Sequence, residues 1–136
     1  MKRRDFIQKT AASSALLGLA NIGLSSFASL DTKKITILHT NDVHSHIDPF
    51  PADHPRNPNM GGAARRAVLI ERIKQEEEHV VLLDAGDIFQ GTPYFNYYGG
   101  ELEFKLMSMM HYDVATMGNH DFDNGIDGFY AQLPHA

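Results

Sequence analysis

Three short apolar runs alternate with amphipathic stretches along the chain. KKITILHTND at 33–42, HVVLLDAGD at 79–87 and DVATMGN at 113–119 contain the β-branched and aliphatic residues typical of strands. The first two are nearly continuous in apolar character, which predicts strands covered on both faces. Residues 60–78 and 101–112 carry apolar side chains at helical spacing, and residues 125–133 can begin a third helix. The predicted order is β-α-β-α-β with a further helix, an α/β chain of parallel strands with right-handed crossovers.

The segments between these elements predict loops and core positions. Four prolines between 45 and 59 predict a loop there, and residues 88–100 (IFQGTPYFNYYGG) are also predicted to be loop. Met107, Met109 and Met110 lie on the second predicted helix. Because methionine fills irregular gaps between packed elements, we expect all three in the core.

The first 28 residues have the features of an export signal. Lys2, Arg3 and Arg4 precede a weakly apolar stretch that ends with the small residues Ser26 and Ala28. The Arg-Arg pair is typical of twin-arginine export. An uncleaved membrane anchor is the alternative, but the stretch is less apolar than a stable membrane span requires. We therefore predict a signal peptide at 1–28, which would engage export machinery, and a periplasmic or extracellular location for residues 29–136.

Composition narrows the classes of function that the chain can support. The 136 residues include eight His and no Cys, and the formal net charge is −5. The lack of Cys excludes disulfides, thiolate metal ligands and a cysteine nucleophile. The acidic balance argues against binding to duplex nucleic acid and is compatible with binding of cations.

Polar side chains follow each of the three predicted strands. Asp42 and His44 follow the first strand, Asp87 follows the second, and the GNHDFD stretch at 118–123 follows the third. Because ligands bind at the carboxyl ends of parallel strands, we expect these side chains to lie at one edge of the sheet. Carboxylates, imidazoles and an amide oxygen suit divalent ions such as Zn²⁺ or Mn²⁺. Two such ions can promote in-line displacement at phosphorus. The sequence has neither a G-x-S-x-G serine motif nor a P-loop.

The motifs D-V-H at 42–44, G-D-I-F-Q-G at 86–91 and G-N-H-D at 118–121 resemble the signature of calcineurin-like metallophosphoesterases. LHTNDVHSHIDPF and GNHDFDNG are closer still to the secreted 5′-nucleotidase branch of that family. The resemblance covers most of residues 35–133. It implies the N-terminal part of a β-sandwich flanked by helices, and hydrolysis of nucleotides or other phosphate esters by water activated between two metal ions.

The resemblance also implies a role for each matching residue. Asp42 and His44 would hold the first ion, and Asp87 would bridge the two. Asn119 would hold the second ion through its amide oxygen. His120 would contact the phosphoryl group as the catalytic residue, with Asp123 orienting it.

Other residues of the motifs have expected roles outside the metal shell. Gly86 and Gly118 would let the backbone turn sharply beside the ions. We expect Asp84 to order the metal-binding loop, and we expect Asp121 to be peripheral.

Further ligands known in the family, a lone His and a G-H-x-[HQ] motif, do not occur in these 136 residues, and neither does the branch's substrate domain. We therefore expect residues 29–136 to be the N-terminal part of a larger catalytic domain. Two alternatives stay open: a thiohydrolase of the same superfamily, and an exported protein that binds metal without catalysis.

Overall fold

The computed structural model describes residues 32–136, and residues 35–136 form one compact unit. The export signal predicted at 1–28 lies outside the described residues. Three parallel strands form an open sheet in the order β1-β2-β3, with β1 at Thr36–Thr40, β2 at Val80–Asp84 and β3 at Val114–Ala115. The α/β class, the parallel pairing and the alternation of strands and helices along the chain expected from the sequence are confirmed.

Helices connect and follow these strands. They are α1 at Ala63–Glu76, α2 at Pro93–Tyr98, α3 at Glu101–Met109 and α4 at Gly125–Gln132, with short 3-10 turns at His120–Phe122 and Leu133–His135. Between β1 and α1 the chain is irregular, as its prolines predict. α1 and the pair α2–α3 are therefore the two crossovers of the parallel sheet.

Helix α2 lies in a stretch that the sequence predicts to be loop. Pro93 occupies the first turn, where its missing N–H costs nothing, and Gly99 ends the helix at φ 61°. Phe95 is buried and stacks on Phe89 with ring centroids 5.6 Å apart. The loop prediction was wrong because burial of this aromatic side chain stabilises a single helical turn that its local sequence only weakly favours.

The core consists of two clusters. Ile70 of α1, Leu82 of β2 and Met110 form one cluster, against which Leu38 of β1 packs. The other lies between α2, α3, α4 and the segment after β2, and it comprises Ile88, Phe89, Phe95, Phe104, Met107 and Phe129. Met107 and Met110 are core residues as expected, but Met109 is 74% exposed. That expectation was wrong because α3 turns Met107, and not Met109, toward the aromatic cluster.

Strand β1 is covered on one face only by the described residues. Its side chains alternate between partly buried and exposed, and Ile37 is 62% exposed. The prediction of coverage on both faces is therefore wrong for β1 within residues 32–136. β2 lies between its two neighbours, and its Leu82 is fully buried. β3 is shorter than predicted: two residues pair with β2, and beyond them the amide of Thr116 still donates to the Asp84 carbonyl at 3.0 Å.

Candidate metal centre

The segments that follow β1 and β2 run side by side beyond the ends of the strands. The backbone amide of Asp42 donates to the Gly86 carbonyl at 3.0 Å, and that of His44 donates to the Asp87 carbonyl at 3.0 Å. The amide of Ser45 donates to the Ile88 carbonyl at 2.9 Å. These bonds join the two segments past the end of the sheet, without keeping the ladder pattern of β1 and β2. They hold the side chains that the sequence places after two different strands at one location.

Asp42, His44 and Asp87 form a compact acidic cluster. One potential ligand atom from each lies within 4.8 Å of the other two. His44 Nε2 is 3.7 Å from Asp42 Oδ1 and 4.0 Å from Asp87 Oδ2. Two carboxylates and an imidazole at such separations form a donor set that suits a divalent ion. The three residues therefore fit the metal site that the family implies.

The imidazole of His44 is oriented by a backbone carbonyl. Its Nδ1 lies 3.3 Å from the Phe89 carbonyl oxygen, which can only accept a hydrogen bond. A bond there requires the proton on Nδ1, and in the neutral ring this leaves the lone pair on Nε2, the nitrogen that faces the two carboxylates. Histidine ligands of metal ions commonly have their other ring nitrogen fixed in this way.

All three residues of the cluster have left-handed backbone conformations. The φ angles are 51° at Asp42, 47° at His44 and 55° at Asp87. Such conformations cost about 1–3 kcal/mol for residues other than glycine, and they persist only where the surrounding structure enforces them. Three in one cluster mark this location as a site whose geometry is maintained at the expense of stability.

Two glycines allow the segments after β2 and β3 to touch. Gly86 has φ 94°, and a Cβ there would lie 2.4 Å from the Gly118 nitrogen. A Cβ on Gly118 would lie 2.1 Å from Asp87 Oδ1. The sequence assigns these glycines to sharp turns. At Gly118 the requirement is instead room for the carboxylate of Asp87.

His120 and Asp123 are in direct contact beside the cluster. His120 Nδ1 lies 3.0 Å from Asp123 Oδ2, and this hydrogen bond is the main reason that the pKa of His120 is raised, with the charges of Asp123, Asp87 and Asp121 adding to it. The His120 ring centroid is 5.3 Å from that of His44. Its backbone amide donates to Asp87 Oδ1 at 3.0 Å. An oriented imidazole whose protonated form is favoured by its neighbours is thereby placed next to the acidic cluster.

Asn119 lies immediately before the 3-10 turn and is exposed. Its neighbour His120 makes the backbone contact with Asp87, so Asn119 is one residue away from that contact in the chain. Its role as a metal ligand stays a prediction.

Two buried aspartates, Asp84 and Asp121, accept hydrogen bonds from the segments that form the site. Asp84 is 4% exposed and accepts hydrogen bonds from Thr40 Oγ1 at 2.5 Å and from the Gly86 amide at 2.8 Å. Burial raises the pKa of the Asp84 carboxyl. Its bond to Gly86 is the contact that ordering of the loop requires.

Asp121 is not peripheral. It is 2% exposed and accepts four backbone N–H bonds. The expectation was wrong because the 3-10 turn at His120–Phe122 directs this side chain inward, onto backbone N–H groups. No spacing in the sequence distinguishes it from Asp123.

The three parallel strands form an α/β fold whose carboxyl ends carry the carboxylates and imidazole of a donor set that suits a divalent ion. The sequence profile of the calcineurin-like phosphoesterase family matches residues 35–135, and the chain belongs to that family. Enzymes of this family use divalent metals, in agreement with the Asp42–His44–Asp87 cluster.

Individual relatives are nucleotidases. The chain is 42% identical over 104 residues to 5′-nucleotidase of Homo sapiens, and 44% identical over 103 residues to snake venom 5′-nucleotidase of Crotalus adamanteus. Each match covers 74% of this chain and 18% of the relative. The crystal structure of a 5′-nucleotidase precursor from Thermus thermophilus superimposes with a TM-score of 0.68 at 38% identity, covering 75% of this chain and 20% of that one. The chain thus spans about a fifth of the length of these relatives.

Within residues 32–136, no helix has the length and apolar character needed to cross a membrane.

Proposed function

We propose that this chain provides the first half of the catalytic site of a metal-dependent phosphoesterase that hydrolyses nucleotides. The observation that carries the proposal is the convergence of Asp42, His44 and Asp87 within 4.8 Å at the ends of two parallel strands. Membership of the calcineurin-like phosphoesterase family supports the reaction class. The 5′-nucleotidases among its relatives support nucleotides as the substrate class.

In this proposal the residues divide into metal ligands and a proton donor. Asp42 and His44 would hold the first of two divalent ions, Asp87 would serve both, and Asn119 would hold the second. When bound, such a pair of ions neutralises phosphoryl charge and lowers the pKa of a water molecule between them. Zn²⁺, Mn²⁺ or a similar ion suits the oxygen and nitrogen donors.

His120 acts on the substrate and not on the ions. Its contact with Asp123 favours the imidazolium form, which can stabilise charge on the phosphoryl oxygens or protonate the leaving oxygen. The same contact fixes Nδ1, so Nε2 is the atom available to the substrate. Asp123 is therefore a positioning residue and His120 the catalytic one.

The test is phosphate release by the full-length protein. Release from nucleoside 5′-monophosphates should require Mn²⁺ or Zn²⁺, and it should fall sharply in Asp87→Asn. Asp127→Asn, an exposed aspartate on α4, is the matched control and should behave as the wild type. Metal binding without phosphate release would support the alternative of a non-catalytic metal-binding protein. Hydrolysis of a sulfur-bearing substrate in place of nucleotides would support the thiohydrolase alternative.

We also propose that residues 1–28 direct export to the periplasm or the exterior. The Arg3–Arg4 pair and the weakly apolar stretch that follows it support this assignment. Replacing both arginines with lysine should leave the precursor in the cytoplasm, as measured by fractionation and immunoblotting. Normal maturation of the double variant would contradict the proposal.

A further inference from the structure

The side chain of Asp121 is enclosed by backbone N–H groups. Its Oδ2 accepts from the amides of Asp87 at 3.0 Å and Gly118 at 2.8 Å. Its Oδ1 accepts from the amides of Ile88 at 2.8 Å and Phe89 at 2.9 Å. Each oxygen thus has two donors, and the residue is 2% exposed. With both oxygens occupied, this carboxylate is not placed to serve as a metal ligand itself.

The four donors belong to two different segments of the chain. Three lie in the segment that follows β2, and the fourth, Gly118, lies in the segment that follows β3. Neither segment continues as a strand at these positions, so their N–H groups have no ladder partner. Buried N–H groups need an acceptor, and a carboxylate provides a stronger one than a carbonyl. One side chain therefore links the segment that carries Asp87 to the segment that carries His120.

The backbone at Asp87 needs such support. Its φ of 55° lies in the left-handed region, which aspartate tolerates better than most residues but still at a cost of about 1–3 kcal/mol. The bond from its amide to Asp121 fixes the backbone on one side, and the bond from the His120 amide fixes its Oδ1 on the other. Together they determine the direction in which Oδ2 points, which is toward His44 Nε2 at 4.0 Å.

We propose that Asp121 is a positioning residue that sets the Asp87 carboxylate for metal binding by tying the two ligand-bearing segments together. This inference rests on the proposed function, because it assumes that Asp87 is a ligand. A carboxylate that only stabilised the fold would affect metal binding only through unfolding. Loss of the Asp121 carboxylate, the fourth residue of the G-N-H-D motif, should instead weaken metal binding by protein that is still folded.

Asp121→Asn tests the proposal with little change in shape. One acceptor oxygen becomes an NH₂ donor that faces two backbone N–H donors, so two of the four bonds are lost in either orientation of the amide. Loss of groups that orient metal ligands typically reduces metal affinity about 10–100-fold. We expect a reduction of this size for Mn²⁺ in the full-length protein, measured by calorimetry on samples whose folding is verified by circular dichroism. Asp127→Asn is the matched control and should bind Mn²⁺ as the wild type does.

The possible results separate the inference from the proposed function. If wild-type protein binds no Mn²⁺, the metal centre itself is wrong and the inference falls with it. If the wild type binds Mn²⁺ and folded Asp121→Asn binds it equally well, only the positioning role is overturned. A variant that is unfolded without metal should refold at Mn²⁺ concentrations about 10–100-fold above those that stabilise the wild type. Failure to refold at any Mn²⁺ concentration would show a purely structural role and would also overturn the inference.

Discussion

Replacing Gly118 with alanine should separate the candidate ligand Asp87 from its site. The added Cβ would lie 2.1 Å from Asp87 Oδ1 and 2.6 Å from both Asp87 Cγ and the Asp87 backbone nitrogen. Ordinary contact between these atoms requires them to move apart by about 1 Å. Because one of the atoms belongs to the backbone, rotation of the Asp87 side chain cannot relieve the clash. The loop that carries Asp87 must therefore shift relative to the segment that follows β3.

The size of the effect follows from this displacement. Overpacking of this kind costs about 1–3 kcal/mol of stability. Misplacement of a catalytic group by about 1 Å can cost on the order of 100-fold in rate. We therefore expect Gly118→Ala in the full-length protein to remain folded, to bind Mn²⁺ more weakly and to lose about 100-fold or more in phosphate release from nucleoside monophosphates.

Gly125→Ala provides the matched control. Gly125 has φ 74°, but no atom lies within 4 Å of the position that a Cβ would take, so alanine there costs backbone strain without a clash. That strain is about 1–2 kcal/mol, similar to the loss expected for Gly118→Ala. Thermal unfolding should report comparable destabilisation for both variants, whereas only Gly118→Ala should lose metal and activity. Wild-type metal affinity and rate in Gly118→Ala would refute the reasoning.

Three further predictions concern the residues around the cluster. Asn119→Ala should lower both the metal content of the purified protein, measured by elemental analysis, and its rate. His120→Ala should keep its metal content and lose about 10²–10⁴-fold in kcat. The reverse pattern would show that the two roles are exchanged. Because the hydrogen bond that His120 donates to Asp123 is the main cause of the raised pKa of His120, Asp123→Asn should lower that pKa. The imidazolium is then lost at lower pH, and the alkaline fall of the pH–rate profile shifts to lower pH. An unchanged profile would show that His120 is not the titrating group. Thr40→Val should remove the hydroxyl that donates to the buried Asp84 and so raise the pKa of the Asp84 carboxyl further. Isotope-edited infrared titration can measure this pKa. An unchanged pKa would show that this hydrogen bond does not stabilise the ionised carboxylate.

The order of elements could be predicted from the sequence because apolar periodicity is a local property of the chain. Runs of β-branched residues fix β1 and β2, and helical spacing fixes α1 and α3. The polar residues that directly follow each apolar run can also be recognised from the local sequence. Parallel strands present their carboxyl ends at one edge of a sheet. The sequence alone therefore predicts that Asp42, His44 and Asp87 lie close together.

Other features depend on which side chains become neighbours in space. Helix α2 forms where Phe95 packs against Phe89. Met109 is exposed because Met107 occupies the core position on α3. Asp121 and Asp123 are both aspartates of one short turn, yet the turn directs one carboxylate at buried N–H groups and the other at an imidazole. Gly118 must be glycine because the carboxylate of Asp87 occupies the space that a side chain would take. Asp87 lies 31 residues earlier in the sequence, and no local pattern connects the two positions. The sequence therefore determined which residues follow the ends of the strands, and tertiary contacts decided which of them cluster and which hold the surrounding backbone in place.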